Sequence, residues 1–183
     1  MIRFRLPVLV LALVFLAGCG FHLRNRIALP SDLGPVRVVG PTASYSALVT
    51  SLSRGLQAAG ATLAAPVGED ADATIAPDAQ VATLRIASER WGDLPIAVDQ
   101  FGRAQEFSLR YAVVFAFTKA DGTDLVPQQV VELSRDYVSP PQNATGTSTE
   151  REVLAEELRR EMAASILRRV DGVVRSRPAD AAP

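Results

Sequence analysis

The strongest constraint in this chain lies between Ala104 and Thr118, where Phe107, Leu109, Tyr111, Val113, Phe115 and Phe117 fall on one parity. Successive side chains of a strand point to opposite faces, so this pattern dictates a long strand with one apolar face. Asp121-Gly122 follows at once and is a strong hairpin signal. Leu125 to Val138, carrying Val126, Val130 and Val131, is the returning strand. On the other side Val81 to Val98 reads as extended, with Leu84 and Ile86 on one face, and Asp99-Gln100-Phe101-Gly102 makes the turn. The centre of the chain is a meander of three long antiparallel strands.

An apolar sheet face must be covered. Leu48, Leu52, Leu56 and Ala59 recur at helical spacing, with Ser44 placed to cap the start and Gly60 to end the helix. After the loop Ser139 to Ser148, Thr149-Glu150-Arg151-Glu152 matches a capping box. Leu154, Leu158, Met162, Ile166 and Val170 then form one stripe, ending at about Val170. Glu150, Glu156 and Glu157 come early and Arg168, Arg169 and Arg175 late, which complements the helix dipole. Pro35 to Gly40 is a short β-branched strand, and Ala61 to Pro77 is irregular, with a short strand at Ala61 to Ala64. The order β-α-β-β-β-α predicts an α+β two-layer sandwich, with both helices on one face of a four-stranded sheet and the first strand beside a long one. The expected domain covers residues 34–172, and the polar, Pro/Ala-rich residues 173–183 form a disordered tail.

The start of the chain is of another kind. Arg3 and Arg5 precede an apolar run from Leu6 to Ala17, and Leu16-Ala17-Gly18-Cys19 follows. A basic start, a short apolar run and small residues before a cleavage point describe a secretory signal peptide, here residues 1–18. A transmembrane span needs about 20 apolar residues and this run is shorter. Leu-Ala-Gly-Cys looks like a lipobox. Cys19 is then the lipid attachment site, receiving a diacylglycerol on its thiol and, after cleavage, an N-acyl chain on its amine. Three chains make release from a membrane negligible, whereas one anchors only weakly. Gly20, rather than Asp, after the Cys points to the outer membrane by the rule for such signals. Residues 19–33 read as a lipidated linker.

Composition removes several function classes. Cys19 is the only cysteine, so neither an intrachain disulfide nor a Cys-based zinc site can form. Losing Arg3 and Arg5 with the leader leaves acids in excess, which argues against nucleic-acid binding. His22 is the only histidine and sits beside the anchor, where a linker role is expected rather than base catalysis. There is no H-E-x-x-H, P-loop or G-x-G-x-x-G motif. The acidic pairs Glu69-Asp70 and Glu156-Glu157 read as solvated surface. The expectation is a protein that is not an enzyme, with no metal and no cofactor beyond its covalent lipids.

Cys19-Gly20-Phe21-His22-Leu23-Arg24, with Leu29-Pro30 a few residues on, is similar to the mature start of the LptE family of LPS-assembly lipoproteins, which runs Cys-Gly-aromatic-x-Leu-Arg. The stretch Val98 to Tyr111, with its Gly-containing turn and Glu106-Phe107, resembles that family's second-to-third strand hairpin. The element order and the capped C-terminal helix also fit. The resemblance implies a non-enzymatic outer-membrane lipoprotein. It would plug and help assemble the LptD β-barrel and take part in lipopolysaccharide delivery to the cell surface. The alternative is a periplasm-facing lipoprotein that binds another small lipid without a barrel partner, which a deep apolar pocket would favour.

The family often carries basic residues in its sheet-tip loops, yet Ser139 to Ser148 contains no Lys or Arg. Arg85, Arg90, Arg103, Arg110 and Arg135 lie on or beside the meander, and a guanidinium fork suits the phosphates of lipid A. Arg103 and Arg90, nearest the Gly102 turn, are the candidate lipopolysaccharide contacts; charges that keep strand faces soluble are the plainer account. Trp91 and Phe101, near the same turn, are candidates for either a barrel contact or the core.

Overall fold

The alternation between Ala104 and Thr118 produces the central strand of a four-stranded sheet. The computed structural model describes residues 27, 29–30, 33–41, 46–64, 81–139 and 144–176. In chain order these form β1 (Val36–Val39), α1 (Ala47–Ala58), β2 (Ala82–Val98), β3 (Ala104–Thr118), β4 (Asp124–Val138) and α2 (Ala144–Ser176). The sheet order is β1-β2-β3-β4. β2, β3 and β4 pair antiparallel, and β1 adds in parallel beside the first residues of β2, from Val36 opposite Ala82 to Val39 opposite Arg85. The expected α+β two-layer architecture is therefore the one observed.

Leu109, Tyr111, Val113, Phe115 and Phe117 are all fully buried on the face that meets the helices. Each such side chain contributes about 1.5–3 kcal/mol relative to exposure, so this one strand supplies on the order of 10 kcal/mol before chain entropy is counted. α1 buries Leu48, Val49, Leu52 and Leu56, and α2 buries Leu158, Met162, Ile166 and Val170. Leu154, the first residue of the expected stripe, is only partly buried.

Both long hairpins close the same way. Asp99 accepts from Phe101 N and Arg103 N through Oδ1, and Asp121 accepts from Thr123 N. Gly102 and Gly122 take φ of 74° and 83°, the left-handed position that a three-residue hairpin loop requires. α1 ends as expected at Gly60 (φ 97°), where Ala61 N donates to Leu56 O and Gly60 N to Gln57 O, the paired bonds of a Schellman cap. Val36 N donates to Thr62 O and Ala64 N to Val36 O, so the short strand expected at Ala61 to Ala64 exists as a single bridge, Val36 to Leu63.

Four boundaries differ from expectation. The cap of α1 is Ser46, whose hydroxyl accepts from Val49 N; Ser44 lies outside the described residues. α2 starts at Ala144, so the capping box at Thr149 lies inside the helix and Ala144 to Ser148 is not loop. A cap contributes about 1 kcal/mol, little enough for helix continuation to win. α2 also continues to Ser176, because Val173 and Val174 still pack on the core, so residues 173–176 are not tail. Residues 27–33 are not pure linker either: Leu33 is buried, and Ile27 and Leu29 pack against the same core. The leader, Cys19, His22, Glu69-Asp70 and the tail from 177 lie outside the described residues. Among the described residues no helix is long and apolar enough to cross a membrane.

Candidate functional site

The Gly102 end of the β2–β3 hairpin carries the candidate site. Arg103 sits just after the turn with its side chain 56% exposed. It is already engaged: Nε and Nη2 both lie 2.7 Å from Oδ2 of Asp99, and the guanidinium stacks over the Phe101 ring at 5.2 Å. The Arg103 N–H groups and the Phe101 amide hold the Asp99 carboxyl below the usual carboxylate range. The turn thus presents a near-neutral, rigid head with one exposed ring and the outer nitrogen of a guanidinium.

Arg90 lies elsewhere. It is opposite Ala112 on the face away from the helices, and eight residues of β2 separate it from Val98 at the turn. At about 3.3 Å per residue that is roughly 26 Å, so the fold does not bring Arg90 and Arg103 together. Arg90's neighbour is Arg110, which faces Gly92 two pairs further along and pairs with Glu132 at 3.5 Å.

Trp91 and Phe101 part company. Trp91 faces the helices, stacked on Tyr111 at 3.9 Å and covered by the Arg159 guanidinium at 5.2 Å. Tyr111 donates to Glu89 Oε2 at 2.7 Å, and burial with that bond pushes its phenol far up. Trp91 is therefore core, while Phe101 is 71% exposed. Sequence reasoning missed what surrounds Phe101. Leu94, Ile96, Val98 and Val138 are 45%, 46%, 63% and 54% exposed, making an apolar strip along the tip. Their strand assignment was legible, but the extra residue at Ala87, which turns Leu94 from the face of Leu84 and Ile86 to the face away from the helices, was not.

The tip is held rigidly from behind. Arg151 of α2 binds Asp93 through both carboxylate oxygens, and Tyr137 donates to the same Oδ1 at 3.0 Å. Arg151 holds the Asp93 carboxyl below its ordinary range, and burial and Asp93 push the Tyr137 phenol up. Arg135 bridges β4 to Glu161 at 2.6 Å and Glu157 at 3.6 Å, and Glu156 pairs with Arg159, so the Glu156-Glu157 pair works in surface ion pairs. No group of acidic, His or Cys residues among those described is arranged to hold a metal ion. The surface hollows, of about 360 to 450 Å³, open to solvent, whereas the space between sheet and helices is filled by side chains.

The comparisons fit this geometry. The family model described as LptE, lipopolysaccharide-assembly, matches residues 33–170. A protein of Photorhabdus laumondii named LPS-assembly lipoprotein LptE is 26% identical over 170 residues, covering 92% of this chain and 86% of its own. One of the same name from Yersinia pestis is 28% identical, covering 92% and 76%. Among solved structures, an uncharacterized lipoprotein B from Nitrosomonas europaea aligns with TM-score 0.63 at 22% identity, over 86% of this chain and 94% of that one. The rare lipoprotein B from Shewanella oneidensis aligns with TM-score 0.58 at 20% identity, over 75% and 94%. These structures share the fold.

Proposed function

This chain belongs to the LptE lipopolysaccharide-assembly family, and on that premise we propose that it is a lipoprotein anchored through Cys19 in the outer membrane, seated inside an LptD-like β-barrel. Its role there is to plug the barrel, assist its assembly and take part in lipopolysaccharide delivery. The role is one of binding, with no enzymatic step.

The observation that carries the barrel reading is the uncovered tip. Leu94, Ile96, Val98, Phe101 and Val138 leave apolar area in water. A patch of that kind on a soluble domain marks an interaction surface. The sheet edges agree with enclosure rather than strand addition. β1 covers β2 only to Arg85, and the exposed edges carry Pro95 and Pro127, which lack the N–H that a new strand would need. A wall that surrounds the sheet protects such edges without pairing them. Arg103, at the same tip, is the proposed contact for a lipid A phosphate; Arg90, roughly 26 Å away by strand rise, is a separate contact on the outer face.

The test is co-purification of the tagged, lipidated chain from detergent-solubilised outer membranes. A large β-barrel protein should come with it in stable proportion. Recovery of the chain alone, under conditions that keep other outer-membrane complexes intact, would reject the barrel reading.

A further inference from the structure

The outer face of the sheet has a second feature, at the end opposite the Gly102 turn. Beside the β3–β4 turn the surface dips into a hollow of about 360 Å³, within the range of small-ligand sites. Arg37 of β1, Arg85 of β2 and Lys119 after β3 stand around it, against one acid, Asp124. Arg85 is exposed and forms no ion pair among the described residues.

The backbone is shaped for the hollow. β2 gains an extra residue, Ala87, between the pairs Ile86–Phe115 and Ser88–Val114. β4 gains one at Pro127-Gln128, where Phe115–Gln129 is followed by Phe117–Val126. The two irregularities bracket Ala116, and Ala87, Ala116 and Gln128 all line the hollow. A bulge bends its strand and takes backbone groups out of the ladder, a device found where a sheet re-aims side chains toward a ligand. Alanines at the floor leave the room that larger residues would fill.

We propose that this hollow binds a phosphate group, presented by an anionic lipid headgroup of the membrane in which the chain is anchored. The Arg85 guanidinium matches phosphate oxygens in a planar fork, with Arg37 and Lys119 adding charge at the rim. The position selects the source. Arg37 is the second residue of β1, so the chain enters the domain here from the direction of Cys19. Ile27, Leu29 and Leu33 already pack on the core, so the stretch from Cys19 to Ile27 reaches at most about 28 Å when fully extended. The Gly102 turn lies a further ~50 Å away along β2, at about 3.3 Å per residue. Of the two ends, this one is held toward the bilayer surface. The headgroup source rests on the anchoring reading above; phosphate binding by the hollow does not.

The experiment uses the mature chain, residues 19–183, with Cys19→Ala, so that neither the lipid anchor nor the apolar leader can contribute. It is mixed with phosphatidylcholine vesicles with and without phosphatidylglycerol, and separately titrated with inorganic pyrophosphate. Sedimentation with the phosphatidylglycerol vesicles is expected, reduced about tenfold by Arg85→Glu and little changed by Arg54→Glu. Arg54 is exposed on α1, outside the hollow, so the second variant carries the same charge change as a control. Unchanged partition in Arg85→Glu, or equal loss in Arg54→Glu, overturns the site. Pyrophosphate binding that needs Arg85, without vesicle binding, overturns the headgroup and leaves a soluble phosphate as the ligand. If the native chain proves not to be acylated while Arg85-dependent binding persists, the anchoring reading fails and the hollow stands. Near-ultraviolet circular dichroism shows whether each variant is folded.

Discussion

Arg151 on α2 grips both carboxylate oxygens of Asp93 on β2, with Nε 2.9 Å from Oδ1 and Nη2 2.8 Å from Oδ2, across 58 residues of sequence. This contact ties the early part of α2 to the sheet beyond the apolar core, where Leu154 is only partly buried. It is half-exposed, so it is expected to contribute about 1 kcal/mol rather than the several of a buried pair. Asp93→Asn should lower the urea midpoint accordingly. The pH dependence has a definite sign. The folded carboxyl titrates below its ordinary value because Arg151 favours its charged form. Its stabilisation is therefore present above about pH 4 and lost as pH falls through the depressed value. The gap between native and Asp93→Asn stability should be constant from pH 7 to 5 and close in more acidic buffer; a gap independent of pH would count against the ion pair.

A second prediction concerns Gly55, in the interior of α1. Alanine in a helix is ordinarily about 1 kcal/mol better than glycine. Here an added Cβ would run into Cδ1 of Leu167, which is buried against α2's own core contacts. Overpacking costs about 1–3 kcal/mol, so Gly55→Ala should be neutral or destabilising instead of stabilising. Combining it with Leu167→Ala should recover part of the loss expected from the two changes separately. Simple additivity in denaturant melts of the four proteins would refute the clash.

Trp91 is the single tryptophan and lies stacked on Tyr111. Its emission should be blue-shifted in the folded protein and report directly on sheet integrity. Tyr111→Phe keeps the ring and removes only the bond to Glu89. Because burial raises the Tyr111 phenol far above the ordinary range, this variant should show the native protein's tyrosinate absorbance at pH 10.5. A drop of one tyrosine's worth of signal would mean that Tyr111 is open to solvent. The stabilisation from its raised value is full below about pH 10 and declines as pH rises beyond that.

At the tip, Phe101→Ser should change stability by less than about 0.5 kcal/mol, since an exposed side chain leaves little behind. Co-purification of a barrel partner should nevertheless fall. Arg103→Glu reverses the proposed phosphate contact and should weaken lipopolysaccharide binding in a pull-down, with folding unchanged. Equal binding by the native and Arg103→Glu chains would remove Arg103 from the site.

The sheet and its order were legible because strand alternation and turn chemistry act within a few residues, as in the Phe107-to-Phe117 parity and the Asp99 and Asp121 turns. The helix boundaries were less so. Thr149 and Glu152 form a local cap signature, but whether a helix starts there depends on energies near 1 kcal/mol that distant contacts can reverse. The apolar tip was illegible for another reason. Leu94, Ile96 and Val98 continue the parity of the buried Leu84 and Ile86, and only the extra residue at Ala87 turns that parity to the face away from the helices. The hollow rests on register shifts at Ala87 and Pro127-Gln128, which no periodicity announces. Cys19 remains an inference from its motif, tested by comparing the intact mass of the native chain with that of Cys19→Ala.

The parallel placement of β1 has a consequence for the order of folding. β2, β3 and β4 are joined by short turns, so their hairpins can zip locally and fast. The pairing of Val36 with Ala82 must instead close a long stretch of chain that includes α1, and that closure costs entropy before it returns any contact. β1 is therefore expected to dock last, which pulsed hydrogen exchange would register as Val38 gaining protection after Val113. The last part of the domain to become structured would be the part next to the lipid, so that a chain could be tethered while its final strand was still open.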